Sequence, residues 1–401
     1  MFKIIVPLLS LVVALPIAHS EVVAENEIAL GFSLYSSLPK NPEENLVFSP
    51  CSLFTCLSML YVGAREETAR EIEKVLQVNL SRKALVKENV EILQVLKPHE
   101  GPNPYVLKIA NSLWLDRKIA PLSDFKHTLQ KNFEAKLGLV SFGLADKSIG
   151  QINEWVSSQT EGKIGQLLTR QDVSPTTRLI LVNALYFQGQ WGSPFAEDAT
   201  QNSDFSVSKE KTVQVPMMHQ TEKFPYFENK SFQLLALPFT GMTQEEGQLA
   251  CLILLPKSGD LSDVQEMVNL ENWEDWLSQL QEKTVSVTLP KFKLSKRMEL
   301  NKVLSNLGMP NAFSSEADFS GIDGMHDLYL DKVIHAADIE LNEAGLTAAA
   351  ATSASMKMKG ALQTPITFTA DHPFLFFVVD LDSTLLLFMG HMQSPLQESS
   401  E

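Results

Sequence analysis

The segment GLTAAAATSASMKMKGALQTP, residues 345–365, is the most informative part of this chain. Its odd positions are small, polar or basic, whereas six of the seven even positions from 346 to 358 are apolar. A period of two is what a β-strand with one buried face requires. The even positions are Leu346, Ala348, Ala350, Thr352, Ala354, Met356 and Met358.

The amino-acid composition of this segment gives it a low propensity to form a strand. Alanine and serine are poor strand formers and alanine is a strong helix former, so a flexible linker or a poor helix is the alternative interpretation. Small side chains would also let the segment slide between strands already in place. Lys357 and Lys359 suit the cation-binding pocket of a trypsin-like protease. The alternation of the segment therefore suits a position within a sheet, although its intrinsic strand propensity is low.

The remainder of the chain changes from helical to strand-rich. Apolar residues at three- and four-residue spacing predict helices over 25–38, 50–62, 66–76, 82–96 and 261–280. Alternating, β-branched or aromatic runs predict strands over 179–187, 232–237, 249–256, 284–290, 327–341 and 374–380. This mixture indicates an α+β fold with large antiparallel sheets. No stretch has the composition of a linker, so we expect one domain over residues 21–401.

The first twenty residues are typical of a secretion signal peptide. Lys3 precedes an apolar run over 4–17, and Ala18-His19-Ser20 offers small residues for cleavage before Glu21. A run of 14 residues is short of the roughly 20 needed to cross a bilayer. We therefore expect a secreted, extracellular protein with no membrane partner.

Two further features suit an exported glycoprotein. Asn79 and Asn229 begin N-glycosylation sequons, Asn-Leu-Ser and Asn-Lys-Ser. The three cysteines, Cys51, Cys56 and Cys251, are an odd number, so at least one is free unless two chains pair. We expect all three to be buried thiols that pack as small hydrophobic groups.

Charge and motif content exclude several classes of function. The chain carries 33 basic and 48 acidic residues, a net charge of −15, which argues against a nucleic-acid partner. It contains no Gly-x-Ser-x-Gly elbow, phosphate-binding loop, dinucleotide-binding glycine triplet or His-Glu-x-x-His motif. Its eight histidines are scattered, which disfavours a zinc site. We expect no enzyme activity, metal or cofactor, although sequence alone cannot exclude a triad assembled in three dimensions.

A series of motifs, in one order over residues 25–395, resembles the serpin family. Each motif alone is weak, but their joint order leaves little room for chance. They are Asn45-Leu-Val-Phe-Ser-Pro-Cys-Ser52, WVSSQTEGKI at 155–164, LVNALYFQGQW at 181–191, VPMM at 215–218, FSGI at 319–322, residues 335–345, HPFLF at 372–376 and FMG at 388–390.

The resemblance implies a serpin fold of three β-sheets and eight or nine helices with an exposed reactive-centre loop, here about residues 345–365. It implies that a serine protease takes this loop as a substrate and forms an acyl-enzyme. The cleaved loop then inserts as a new strand in the main sheet, and the trapped protease is distorted. The partner would be a trypsin-like serine protease in covalent complex with a monomer.

The resemblance also assigns site residues. The family's usual spacing from Glu343, the acid at the loop base, puts the reactive bond at Lys359-Gly360, with Lys357 as the fallback. Lys291 would pair with Glu343, and Trp191 would lie at the breach where the sheet opens. The shutter residues would be Ser49, Ser52, Asn183 and His335. The hinge would be Gly345, Leu346, Thr347, Ala348, Ala349, Ala350 and Ala351.

Departures from the family pattern leave a second interpretation open. Leu346 stands where inhibitory members usually carry Thr or Ser, and overpacking a core position costs roughly 1–3 kcal/mol. Thr347 replaces a common Glu and Ala336 a frequent Lys, the latter with no functional account. The alanine run after Thr347 favours inhibition, and the alternative is a non-inhibitory carrier or binding protein. Arg82, Lys83 and Lys87 are too few for us to expect glycosaminoglycan binding.

Overall fold

The computed structural model describes residues 18–39, 41, 43–96, 105–240, 249–343 and 364–396. These residues form an α+β fold, as predicted. The α-helices are α1 Ala18–Ser37, α2 Pro50–Gly63, α3 Glu66–Val75, α4 Arg82–Val95, α5 Ser123–Asn132, α6 Ala145–Gln159, α7 Ser262–Gln265, α8 Leu270–Ser278, α9 Asn301–Leu307 and α10 Ser320–Asp323. The strands are β1 Leu46–Phe48, β2 Tyr105–Asp116, β3 Lys136–Val140, β4 Leu179–Gly189, β5 Gln201–Ser208, β6 Lys211–Glu228, β7 Phe232–Pro238, β8 Leu249–Pro256, β9 Gln281–Pro290, β10 Phe292–Glu299, β11 Lys332–Leu341, β12 Ile366–Thr369, β13 Phe374–Asp380 and β14 Leu386–Met392.

A five-stranded sheet forms the centre of the fold, in the order β10-β11-β4-β2-β3. The strands β4 and β11 run parallel, with nine paired residues from Lys332 opposite Ile180 to Glu340 opposite Gln188. We call this ladder the seam. The other central pairings, of β10 with β11 and of β2 with β4, are antiparallel. Parallel strands that are buried on both faces usually have near-continuous apolar sequences, and LILVNALYF in β4 is one such sequence.

The two faces of the seam contact different parts of the core. Ile180, Val182 and Ala184 of β4 belong to a small cluster with Ile152 and Val156 of α6. The alternate residues of β4, such as Leu181 and Leu185, belong to the main core. Since side chains alternate along a strand, even-numbered residues of β4 share the α6 face. Helix α6 therefore covers part of the seam on one side.

Helix α2 packs against both sheets from within the main core. Its N-cap is Ser49, whose hydroxyl accepts a hydrogen bond from the Ser52 amide at 3.2 Å, and Pro50 stands in the first turn. Both features favour a helix start at this point. Thirteen of its fourteen residues are buried, which explains the apolar composition of this helix on all sides. The cysteines at positions 51, 56 and 251 are free and buried, as predicted.

The second sheet joins nine strands, in the order β1-β14-β13-β8-β7-β6-β9-β12, with β5 paired to β6. The resemblance implies three sheets, whereas the described strands form two. The reason is that the 18-residue strand β6 is continuous and joins strands that would otherwise belong to separate sheets. It pairs with β5 near its start, with β9 along its middle and with β7 at its end. The structure describes ten α-helices, two of which, α7 and α10, have four residues each.

The helix predicted over 261–280 is wrong in one respect, because the structure divides it. Helix α7 ends at Gln265, and α8 begins after Asn269, whose side chain accepts the Asn272 amide at 2.9 Å. An N-cap asparagine restarts the helix at this point. Among the described residues, no helix has the length and apolar composition needed to cross a membrane.

Candidate functional site

The candidate site is the seam and the chain that leaves it. Strand β11 ends at Leu341, and the described chain stops two residues later at Glu343. The reactive bond Lys359-Gly360 and the hinge residues 345–351, including Leu346, lie outside the described residues. The site is therefore built from the strands that flank the loop and from the helix beneath them.

A buried hydrogen-bond network crosses the middle of the seam. His335 of β11 lies opposite Asn183 of β4 in the register, and the ring Nδ1 contacts the Asn183 Oδ1. On the other side of the ring, the Ser49 amide donates to Nε2 at 3.1 Å. Asn183 and His335 are 1% and 0% exposed. The N-terminus of α2 is thereby tied to both strands of the seam.

The geometry fixes the protonation of His335. Because Nε2 accepts a hydrogen bond from a backbone amide, the proton of a neutral ring stands on Nδ1 and is donated to Asn183. Burial lowers the pKa of His335 from 6.5 to about 3. The imidazole is therefore neutral at physiological pH, and it joins the strands without placing a charge in the core.

The network extends to Asn111, which the sequence did not single out, and to Cys56, which the sequence predicted only as a buried thiol. The Asn183 amide donates to the Ser52 hydroxyl and, at 2.6 Å, to the Asn111 Oδ1. Asn111 Oδ1 also accepts from the Ser52 hydroxyl and the Cys56 thiol, both at 3.4 Å. The signal for Asn111 was available, since it is a polar residue inside the apolar run IANSLWL. For Cys56 the sequence predicted burial but not this hydrogen bond.

Glu343 is anchored at the end of β11, where the loop begins. The Lys291 ammonium lies 2.9 Å from Oε1 and 3.1 Å from Oε2 of Glu343, and the Thr200 hydroxyl donates to Oε1 at 2.9 Å. The backbone carbonyl of Glu343 accepts the Phe195 amide at 3.0 Å. Burial acts to raise the pKa of Glu343, but the hydrogen bonds from Lys291 and Thr200 outweigh it and the pKa is lowered. The carboxylate is thus charged and held at the loop base.

Trp191 lies at the end of the seam where Glu343 follows β11. Its indole stacks on Phe239 with ring centroids 4.9 Å apart and an interplanar angle of 10°. The indole Nε1 donates to the carbonyl of Asn342 at 2.7 Å. The Trp191 side chain therefore links the second residue after β4 to the residue that follows β11. Opening the seam at this end requires that link to break.

Both predicted sequon asparagines are exposed. Asn79 lies just before α4, and Asn229 lies in the turn between β6 and β7. The Asn229 Oδ1 accepts the backbone amides of Ser231 and Phe232 at 2.8 and 3.0 Å, which orders that turn. Neither position is closed to a glycan by burial.

The groups at the middle of the seam are uncharged and hydrogen-bonded to one another. Within the described ranges, no group of three or more His, Cys, Asp or Glu residues is placed to hold a metal ion. His335 is enclosed on both ring nitrogens by fixed partners and faces no solvent. What the site can do is hold two parallel strands together through a small number of breakable contacts.

Comparison with known proteins gives a consistent result. The family model described as serpin (serine protease inhibitor) matches residues 25–395. Serpin B6 of Pongo abelii is 38% identical over 383 residues, covering 94% of this chain and 100% of that protein. The human leukocyte elastase inhibitor is 37% identical over 366 residues, covering 88% and 94%. The crystal structure of human thyroxine-binding globulin complexed with thyroxine superposes with a TM-score of 0.84 at 27% identity, covering 95% and 100%.

Proposed function

This chain belongs to the serpin family, and we propose that it is a secreted suicide inhibitor of a trypsin-like serine protease. The protease serine would attack the carbonyl of Lys359, and the amine of Gly360 would leave. The resulting acyl-enzyme would be trapped when the cleaved loop enters the five-stranded sheet. The relatives include proteins named as a protease inhibitor, which supports the general activity.

One observation carries the proposal: the loop leaves the end of one strand of a parallel pair. A strand that follows β11 through a short turn runs antiparallel to it. Because β4 is parallel to β11, the same strand would also be antiparallel to β4. Insertion would exchange one parallel ladder for two antiparallel ladders, and antiparallel pairing is slightly more stable per residue. The native fold is thus arranged to gain hydrogen bonds when the loop is released.

The contacts that resist this exchange are few. At the middle of the seam the cross-strand side-chain contact is His335 with Asn183, both uncharged. At its end the strands are linked through Trp191 and the carbonyl of Asn342. When a neutral hydrogen-bond network separates, it leaves no uncompensated buried charge, which would be strongly destabilising. This supports a sheet that opens during function.

The loop supports the proposed protease class, and the N-terminal segment supports the proposed secretion. A lysine before the reactive bond fits the anionic pocket of trypsin-like enzymes, and the surface outside the loop also sets specificity. The predicted signal peptide and the exposed sequons at Asn79 and Asn229 support secretion. Expression of the full chain in a eukaryotic cell tests this part. We expect secreted protein that begins at Glu21 and loses mass with a glycosidase.

The central experiment is incubation of the mature protein with trypsin at limiting and excess ratios, read on a denaturing gel. We expect a band near the summed masses that survives SDS, and a released C-terminal peptide that begins at Gly360. Lys359→Ala should abolish this band with trypsin, whereas Lys357→Ala should keep it. The opposite result for the two variants would move the reactive bond to Lys357.

Cleavage of the loop with no covalent band would support a second function, that of a carrier. Leu346 in the hinge and the thyroxine-bound serpin among the structural neighbours favour that alternative. A Leu346→Thr variant separates the two cases. If it restores the band, the fold inhibits and its hinge is slow, and if it does not, the inhibitor proposal is wrong.

A further inference from the structure

One edge of the five-stranded sheet has room for a further strand. Strand β3 is the last strand of that sheet and pairs, in parallel, with β2. Among the described residues, no other strand pairs with it. The outer edge of such a strand presents backbone donors and acceptors to any extended chain that approaches it. The outer edge of β3 is therefore a place where another polypeptide can add by strand pairing.

Large apolar side chains are exposed beside this edge. The described part of the chain exposes six of them, and three fall within residues 117–144: Leu122 at 43%, Leu139 at 46% and Leu144 at 59%. Leu139 lies on β3 itself. Leu144 is the N-cap residue of α6, four residues after the end of β3. Exposed apolar side chains that cluster in this way mark interaction surfaces.

The same part of the chain is basic in an otherwise acidic protein. The net charge of the chain is −15, yet five exposed basic residues and two exposed acidic ones lie within residues 117–136. Lys136 is the first residue of β3, and the Arg117 amide donates to the Val140 carbonyl at 2.8 Å, so cationic residues stand at both ends of the strand. None of the five basic side chains forms an ion pair with a described residue. The basic residues are Arg117, Lys118, Lys126, Lys131 and Lys136, and the acidic ones are Asp124 and Glu134.

Strand β10, at the opposite edge of the sheet, does not share these properties. Its basic residues Lys293, Lys296 and Arg297 all form ion pairs within the fold. No large apolar residue of β10 is exposed. Of the two edges, only that of β3 combines exposed leucines with cations that the fold leaves without an acidic partner in its described part.

The two faces of β3 differ in chemistry. Val140 belongs to the small apolar cluster under α6, whereas Leu137 packs against the main core. Since side chains alternate along a strand, Lys136 shares the α6 face and Leu139 shares the face of Leu137. A strand added at this edge would therefore have a cation beside it on one face and an exposed leucine beside it on the other.

We propose that the outer edge of β3 is a docking surface for an extended acidic peptide segment of a partner protein. The segment adds as a sixth strand, with acidic side chains toward Lys136 and apolar side chains toward Leu139. Backbone hydrogen bonds supply affinity in this mode of binding, and the alternating side chains supply specificity. A sulfated polysaccharide is also anionic, but it has no apolar side chains for the leucines and no peptide groups for the strand edge. The inference goes beyond the proposed function, because it places a second partner away from the reactive bond.

The first test measures binding of a short fluorescent peptide in which Glu and Val alternate, by fluorescence anisotropy at low salt. A peptide of equal composition, with Glu and Val in separate blocks, should bind more weakly. We expect Leu139→Thr to weaken binding of the alternating peptide about fivefold, since half the leucine side chain is available for burial. Arg117→Glu with Lys136→Glu should weaken it about tenfold. The matched controls are Leu396→Thr and Lys209→Glu with Lys211→Glu, exposed residues in other parts of the chain, and both should bind as the wild type does.

The second test is hydrogen–deuterium exchange of residues 136–140 with and without the alternating peptide. Strand addition should slow exchange there, because outer-edge amides gain hydrogen bonds. Equal binding of the two peptides, unchanged exchange, or no binding of either peptide would overturn the proposal. Heparin serves as the polysaccharide probe. If heparin binds in the peptide's place and Leu139→Thr leaves its affinity unchanged, the surface recognises charge alone and the proposal is wrong. None of these readouts depends on a protease, so a failure to trap trypsin would refute the inhibitor function and leave this result standing.

Discussion

The buried carboxyl of Glu27 provides a sharp test of the energetics of this fold. Glu27 lies on α1 and is 0% exposed, with Oε2 accepting the Leu386 amide at 3.0 Å and Oε1 lacking any partner. Burial raises its pKa well above the ordinary value of 4.5. An acid whose pKa is raised on folding favours folding fully below the unfolded pKa, and this advantage is lost as pH rises. The contribution of Glu27 to the free energy of unfolding should therefore fall between pH 4.5 and neutrality.

The size of the effect follows from proton linkage. Keeping Glu27 protonated in the fold at pH 7 costs at most about 3.5 kcal/mol, since each pH unit above 4.5 contributes about 1.4 kcal/mol. Glu27→Gln removes this cost and keeps an oxygen for the Leu386 amide. A chain of 401 residues has an unfolding entropy of about 0.8 kcal/mol/K, so the melting temperature should rise by up to about 4 °C at pH 7. At pH 5 the gain should be below about 1 °C.

Differential scanning fluorimetry of both proteins from pH 5 to pH 8 measures this difference directly. Glu25→Gln, an exposed position on the same helix, is the control and should show no pH-dependent gain. A Glu27→Gln variant that melts at or below the wild-type temperature at pH 7 would refute the reasoning. So would a gain of equal size at pH 5 and pH 7, because it would not come from the carboxyl proton.

Three further predictions concern the candidate site. Asn183→Ala leaves His335 without its acceptor and strands other buried groups, so we expect a loss of about 3 kcal/mol and a fall of about 4 °C in the melting temperature. If Asn183→Ala lowers the free energy of unfolding no more than an asparagine-to-alanine change at an exposed position, the network does not stabilise the fold. Lys291→Met should cost less than about 1 kcal/mol at pH 7, because the lysine side chain is 42% exposed. The pKa of Glu343 is lowered in the fold, so the stabilisation is fully present above pH 4.5 and is lost below it. The free energies of urea unfolding of variant and wild type should therefore converge as the pH falls below 4.5. Leu346→Thr should lower the stoichiometry of trypsin inhibition, and a rise would show that the hinge leucine does not slow insertion.

The class of fold could be predicted from local patterns, but the pairing of strands could not. Alternating or continuously apolar runs predicted β4, β7, β8 and β13. The pattern gave no sign of β6, whose 18 residues include two prolines and the polar run TEK. It is a strand because β5, β7 and β9 supply hydrogen-bond partners at successive points along it. Pairing of this kind depends on neighbours from distant parts of the chain.

Three features could be read from the amino-acid sequence alone: the alternation of residues 345–365, the two lysines that suit a trypsin-like pocket, and the order of motifs over 25–395. These are local or collinear properties, and they can be read without a fold. The folded chain was needed to show that Asn111 accepts a hydrogen bond from Asn183, 72 residues away, and that the Lys163 ammonium lies over the Tyr186 ring. Such contacts are fixed by the register of β4, β11 and β2 and by the path of the chain after α6. A side chain has no local signal for a partner that only sheet pairing brings within hydrogen-bond distance.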